Sequence, residues 1–455
     1  KFFEERNPYA HKVAESFQAT KYEYEPWIKG ERGNEIKWRY HERFHKFLED
    51  YQDFNPIILK DIADESKDII NLCGDPKAEG EWLRKGLVFG YVQSGKTTSY
   101  SDVIARGIDA GYEVFIILAG ITNSLRTQTQ ERLEENIIGN IRRRDSDFAE
   151  EKVERLPRLY PMTVENDFKA TGNNTIDFNH KVGNIFIVKK NKSILNNLLE
   201  ELRRLSDYMG GRIDAPTLLI DDEADNATIN TATPRSKASI TAINEAIRAL
   251  LNCFSRRVYV GYTATPFANI FIDHKSDSDM RLAEEKGKDL FPSDFIKSIS
   301  APDFYVGANR LFHSNEERVT NSLQHTVGII HKSNYENVLP LSHKISDIET
   351  IEELPSSLLT AVKYFFLFCA IEKARGRWEK HHTMMVNVSR FNLVQETVTV
   401  KLDQFCKELV EAIILTGGDR RQKNELFESL EDLYHNGASN SQFRFQGNDE
   451  TEIPY

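Results

Sequence analysis

Gly90-Tyr-Val-Gln-Ser-Gly95-Lys96-Thr97 matches G-x-x-x-x-G-K-[ST] in full, between the apolar run Leu87-Val-Phe89 and a helical pattern. A strand before and a helix after are the context a phosphate-cradling loop needs. Such a loop wraps so that successive backbone N–H groups point at phosphate oxygens. Glycine permits the dihedrals, and the helix N-terminus adds positive potential. Lys96 is predicted to reach the outer phosphates of ATP and Thr97 to ligate Mg²⁺. Gly90, Gln93, Ser94, Gly95 and Thr98 complete the predicted nucleotide cradle.

Outward from this loop, short apolar runs alternate with longer helical patterns. The runs are Leu87-Val-Phe89, Val114-Phe-Ile-Ile-Leu118, Ile185-Phe-Ile-Val188, Thr217-Leu-Leu-Ile220 and Val258-Tyr-Val260. Between the last two, Ser239 to Phe254 places Ile240, Ile243, Ile247, Leu250, Leu251 and Phe254 on one helical face. Strands apolar on both faces and separated by helices predict a parallel sheet in an α/β domain. The run Leu218-Leu-Ile-Asp-Asp-Glu-Ala-Asp225 ends in carboxylates, where a strand end can deliver acids to a metal. Asp222 is predicted to hold Mg²⁺ and Glu223 to polarise the attacking water, with Asp221 as the alternative metal ligand. Phosphoryl transfer otherwise needs mainly positioning and charge stabilisation.

The 455 residues suffice for about three domains. Four regions are predicted: a helical N-terminal region (1–80), the first α/β domain (81–275), a linker or inserted region (276–345), and the start of a second α/β domain (346–455). The N-terminal region interleaves Tyr22, Tyr24, Trp27, Trp38, Tyr40, Phe44 and Phe47 with charged residues, as a helical layer packed on the next domain would. Base stacking is the alternative for those aromatics. Residues 136 to 180 are polar and charged, as an insertion would be. The second α/β domain is predicted from a helical pattern near Leu358, a strand at Met384-Met-Val-Asn-Val388, and a helix from Leu393 to about Leu415.

Hydrophobic residues make up 40% and charged residues 28%, which excludes a disordered or fibrous chain. A formal charge of −11 argues against a histone-like coat on nucleic acid, but leaves room for a local basic groove. No apolar run reaches the roughly 18 residues of a membrane span. Cys73, Cys253, Cys369 and Cys406 form no CxxC pair, which fits a reducing cytoplasm. The start, Lys1-Phe-Phe-Glu-Glu-Arg6, has neither an initiator Met nor a signal-peptide core, as in a trimmed intracellular protein.

Asp222-Glu-Ala-Asp225 spells the DEAD box of superfamily-two helicases, and Gly261-Tyr-Thr-Ala-Thr-Pro-Phe267 resembles their Ser/Thr-Ala-Thr motif. The resemblance implies a RecA-like P-loop domain, with Asp225, Thr263 and Thr265 coupling the ATP site to nucleic acid. A closer similarity is to the bacterial Z-one domain proteins. It is carried by Gly90–Thr97, Leu118-Ala-Gly-Ile-Thr-Asn-Ser-Leu-Arg-Thr-Gln-Thr-Gln-Glu-Arg-Leu133, Tyr262-Thr-Ala-Thr-Pro-Phe-Ala-Asn269 and Val386-Asn-Val-Ser-Arg-Phe391, and it spans about residues 85 to 415. Those proteins are helicase-like ATPases of restriction and phage-defence neighbourhoods. Their neighbours include MORC- or MutL-like GHKL ATPases, methyltransferases and nucleases.

By the same resemblance, Thr122, Asn123, Arg126 and Gln128 occupy the motif that grips the nucleic-acid backbone, by contacts that need not read sequence. Helix capping by Thr122 or Asn123, with a solvated Arg126, is the other reading. Lys189, Lys190 and Asn191 end a parallel strand at the same expected edge and are further candidates for that contact. Ser389 and Arg390 resemble the first motif of a second RecA-like domain, or form a structural turn. No arginine-bearing motif of that second domain is found before Tyr455, so the chain is expected to bind nucleotide and to hydrolyse it slowly alone.

The expected activity is that of an ATP-hydrolysing DNA translocase or remodelling subunit. Its alternatives are an ATP-gated assembly switch that recruits a GHKL ATPase or nuclease, and an endonuclease. No nuclease residues are assigned: Pro302-Asp303 has no following E-x-K strand, Glu284-Glu-Lys286 lies in a helical charged run, and His381-His382 is isolated.

Overall fold

The structure, a computed structural model, describes residues 16–18, 24, 26–28, 30–90, 95–139, 156–161, 166–169, 183–229, 241–272, 289–299, 330–346, 351–376, 381–418 and 424–437. The chain divides into two compact units, Lys1–Tyr305 and Val306–Tyr455.

The first unit is built on an eight-stranded sheet. Its strands are β1 (Ser16–Gln18), β2 (Trp82–Phe89), β3 (Val114–Ala119), β4 (Arg158–Tyr160), β5 (Asn184–Val188), β6 (Thr217–Asp222), β7 (Arg256–Thr263) and β8 (Phe295–Ser298). Their spatial order is β1-β8-β2-β7-β6-β3-β5-β4. All neighbours pair in parallel except β1 with β8, which is antiparallel. The five apolar runs read from the sequence are the five central strands. The edge strands β1 and β4, and β8 between β1 and β2, are three or four residues long and carry no such pattern.

Alternate residues of the central strands face two cores. Phe115, Ile117, Leu218, Ile220, Val258 and Val260 join one; Val114, Ile116, Leu118, Leu219 and Tyr259 join the other. Each fully buried aliphatic or aromatic side chain contributes ~1.5–3 kcal/mol. The first core is covered by α2 (Arg39–Gln52), α3 (Pro56–Leu72) and α4 (Lys96–Ala110), to which a short α1 (Glu31–Glu35) is joined. Here Phe44, Phe47, Leu48, Ile69 and Ile70 meet Val103 and Ile104. The aromatic stripe of the N-terminal region therefore includes core, at Phe44 and Phe47. The second core is covered by α6 (Lys192–Tyr208) and α7 (Ala242–Asn252) through Leu195, Leu198, Leu202, Ile247 and Leu250. The helix read from Ser239 to Phe254 is Ala242–Asn252, and Ser239 and Ile240 lie outside the described residues.

Local chemistry sets these helix starts. Asn55 accepts from the Ile57 N–H at 2.8 Å, and Pro56 occupies the first turn of α3, where its missing N–H costs nothing. Gly95 caps α4 at φ 88°, a left-handed conformation glycine adopts without the Cβ penalty. Thr122 caps α5 (Asn123–Leu133) by accepting from Leu125 N–H. The polar stretch 136–180 contributes the edge strand β4; much of it lies outside the described residues. Within the expected linker, residues 289–299 include β8, which pairs with the strand preceding the Gly90 loop.

The described part of the second unit is helical. It contains α8 (Ser356–Ala374), α9 (Asn392–Gly418) and α10 (Glu425–Asp432). The helices read near 358 and from 393 are present. The strand expected at 384–388 is not formed: residues 381–389 have no ladder bonds, and Met385 is 86% exposed. Gln395 instead holds this segment, donating to Asn387 Oδ1 and Ser389 O at 2.7 Å each. An apolar run needs a neighbouring strand to become one, and the described residues of this unit supply none.

Candidate active site

Parallel strands deliver their C-terminal ends to one edge, where ligands of open α/β sheets bind. The register pairs Phe89 with Thr263, Tyr262 with Asp222, Asp222 with Ala119, and Leu118 with Val188. The residues that follow β2, β7, β6, β3 and β5 therefore share this edge. They are Gly90, Thr265, the acids 222–225, Thr122 with Asn123, and Lys189 with Asn191.

Of the predicted cradle, Gly90, Gly95, Lys96, Thr97 and Thr98 are described; Gln93 and Ser94 lie outside the described residues. Gly90 N–H donates to Thr263 O at 3.2 Å, so the loop leaves its strand still bonded to β7. Lys96 opens α4. Burial lowers its ammonium pKa, and the charges that oppose this are Asp222, Glu223 and Asp225. The acid strand end thus faces the lysine electrostatically. Tyr100, one turn further along α4, donates to Asp222 Oδ2 at 3.3 Å. Arg132 of α5 reaches Thr97 Oγ1 at 3.3 Å.

The acids differ sharply in setting. Asp221 is fully buried, accepting from Tyr259 Oη at 2.8 Å and pairing with Lys190 Nζ at 3.1 Å. That orientation makes Asp221 a buried partner and leaves Asp222 as the acid toward α4. Burial, and then the neighbouring Glu223 charge, push the Asp222 carboxyl above the ordinary carboxylate range. Such an excess of negative charge is a setting that favours a cation. Glu223 is exposed and has φ 54°, left-handed for a residue with a Cβ. Burial would raise the Asp225 carboxyl, but hydrogen bonds from Thr265 and Thr263 outweigh it and hold it low. Thr263 donates to Asp225 Oδ1 at 2.7 Å and Thr265 to Oδ2. The acidic turn lies against β7: Ala224 N–H donates to Tyr262 O at 2.9 Å, and a Cβ on Gly261 would meet Ala224 Cβ at 2.9 Å.

The candidates for nucleic-acid contact separate. Thr122, Asn123 and Gln128 are exposed. Asn191 is exposed but caps α6, accepting from Ser193 N–H at 3.0 Å. Lys189 pairs with Asp167 at 2.7 Å and donates to Asn123. Arg126 is 2% exposed, contrary to a solvated or backbone-gripping role: it donates to Gln130 Oε1 at 2.6 Å and pairs with Asp167 at 3.1 Å. Lys190 is also buried and turns inward to the acids. In the second unit, Ser389 forms a turn: it accepts from Phe391 N–H at 3.0 Å and bonds His343 Nε2 at 2.7 Å. Arg390 lies over the Phe391 ring at 4.8 Å. The dipeptide His381-His382 places His382 edge-on to Phe368, while 284–286 and 302–303 lie outside the described residues.

Sequence reading missed a buried cluster behind the cradle. Asp102 of α4 accepts from His41 Nδ1 at 2.7 Å, His45 Nε2 at 3.0 Å and Ser66 Oγ at 2.6 Å. The His-x-x-x-His spacing on α2 was its only signal. The three ligand atoms of His41, His45 and Asp102 lie within 4.8 Å of one another, as in a cation site. Arg106 Nη2, which can only donate, meets His41 Nε2 at 2.8 Å, so His41 carries its proton on Nδ1. Both nitrogens of His41 are thereby committed, and the cluster is a closed hydrogen-bond network.

The class these features define is an α/β protein with a parallel sheet and an acid-lined edge. Residues 357–453, in the second unit, match the Z1 domain family model, which supports the resemblance to the Z-one domain proteins. No curated protein matches the chain. No helix among the described residues is long and apolar enough to cross a membrane.

Proposed function

We propose that the chain is a P-loop ATPase of the superfamily-two helicase type, working on DNA as a translocase or remodelling subunit of a bacterial restriction or antiphage system. The observation that supports this reading is the Tyr100–Asp222 hydrogen bond of 3.3 Å, which ties the acidic strand end to the helix that Lys96 opens, at the sheet edge where Gly90 follows β2. Lys96 binds the outer phosphates of ATP. Mg²⁺ would be held by the Thr97 hydroxyl and the Asp222 carboxylate, and supplies charge neutralisation when bound. Glu223 orients the attacking water and accepts its proton. Asp225, held by Thr263 and Thr265, links the acidic turn to the segment after β7. The test is ATP turnover with and without DNA: hydrolysis lost in Lys96→Ala and stimulated by DNA supports the reading. Turnover unchanged by DNA of any form defeats the motor.

One observation favours a second reading, an ATP-gated assembly switch that does not translocate. The burial of Arg126 and Lys190 removes two cations from the expected DNA-facing edge. A switch forms an ATP-dependent complex with a GHKL-type ATPase, methyltransferase or nuclease partner and separates no strands.

A further inference from the structure

Lys190 is the most constrained cation of this edge. Its side chain is fully buried. The residue stands at the end of β5, which is separated from β6 by β3. Its backbone N–H donates to Gly120 O, just past β3, at 2.7 Å. Its ammonium then reaches β6, donating to Asp222 O at 2.8 Å and Glu223 O at 2.6 Å while pairing with Asp221 Oδ1 at 3.1 Å. Two of the ammonium's donors take carbonyl acceptors, and its charge pairs with a carboxylate on the same short stretch. Glu223, whose carbonyl it holds, is the acid with left-handed φ. A residue with a Cβ persists in that conformation only where its surroundings over-determine it.

We propose that Lys190 is a positioning residue of the nucleotide site: by spanning the end of β3 it clamps the backbone of Asp222 and Glu223 and thereby aims both carboxylates. The inference rests on the ATPase reading for its catalytic consequence, and on the three contacts for its structural one. Asp221 and Tyr259 complete the clamp from the core side, since Tyr259 orients the carboxylate that the ammonium meets. Lys189 points to Asp167 and Asn123, so adjacent residues tie the polar edge and the acidic turn to the same strand end.

The test compares wild type with Lys190→Met, and with Lys190→Met/Asp221→Asn, in which folding is not burdened by an unpaired buried carboxylate. Crystal structures and ATP kinetics are measured for each. A misplaced catalytic group about 1 Å from its productive geometry lowers turnover ~100-fold. The expected result is kcat reduced by about tenfold to 100-fold, KM and the affinity for a fluorescent ATP analogue unchanged within about threefold, and Glu223 relaxed out of positive φ. Glu223 retaining its backbone conformation in the variants, wild-type kcat, or a loss of kcat matched by an equal loss of nucleotide affinity would each overturn the proposal. Absence of Lys96-dependent hydrolysis in the wild type would instead remove the ATPase reading, and the crystallographic comparison then decides the clamp by itself.

Discussion

Asp102 lies on the helix that Lys96 opens, and His41, on α2, donates to it from Nδ1 at 2.7 Å. This contact fastens the N-terminal helical layer to the cradle's own helix. Burial would raise the Asp102 carboxyl, but hydrogen bonds from His41 and His45 outweigh it and hold it far below the ordinary range. Removing one member of such a buried network strands the others. Asp102→Ala is expected to cost ~3–5 kcal/mol of stability, measured by urea unfolding at neutral pH.

The same network gives a pH dependence. Burial lowers the His41 pKa against the hydrogen bond and charge of Asp102. The unfolded chain therefore binds the His41 proton more readily. That contribution to stability is complete above the unfolded pKa of about 6.5 and declines as pH falls below it, with a slope of up to ~1.4 kcal/mol per pH unit. Asp109, which caps α2 through Tyr40 and His41 N–H, works in the opposite direction: burial pushes it up to about 7. Comparison with His41→Gln cancels that opposing contribution. Between pH 7.5 and 5.5 the wild type should lose stability relative to the variant; parallel curves would sink the assignment.

At the acidic turn, Lys96→Ala should weaken ATP binding, because the phosphates lose their main point charge. Glu223→Gln should retain binding and slow hydrolysis by about 100-fold or more. Equilibrium binding of a fluorescent nucleotide beside single-turnover hydrolysis separates the two effects. Equal hydrolysis rates in Glu223→Gln and wild type would show that another group activates the water.

Thr265→Val deletes a charge-assisted hydrogen bond to Asp225, worth ~1.5–3 kcal/mol when both partners are in place. If Asp225 couples the ATP site to the segment after β7, the variant should keep basal ATP turnover within about threefold and lose DNA stimulation. A proportional fall in both rates would make Asp225 an ordinary structural acid.

Most of the first unit was legible because its central strands bury both faces. Val114–Leu118 and Thr217–Ile220 can be little else, and a strand end carrying four acids within five residues declares its edge. β1, β4 and β8 were not legible, since strands of three or four residues owe their existence to a neighbour. The run at 384–388 shows the converse: the pattern is present and the pairing partner is not. At the site, the direction of a side chain was the hidden quantity. Lys189 and Lys190 read alike, yet alternation along an extended segment turns one toward the polar edge and the other into the core. Arg126 looks like a surface cation until Asp167 and Gln130 are known to enclose it.

That enclosure of Arg126 bears on ionic strength. Along the described ends of β3 and β5, a polyanion would meet Lys189, already paired with Asp167, and the exposed Lys192. Two cations release about two counterions from duplex DNA, so affinity contributed by this edge should fall only about tenfold between 50 and 200 mM salt. Any grip taken here must then lean on uncharged hydroxyl and amide groups such as those of Thr122 and Gln128, which added salt barely screens.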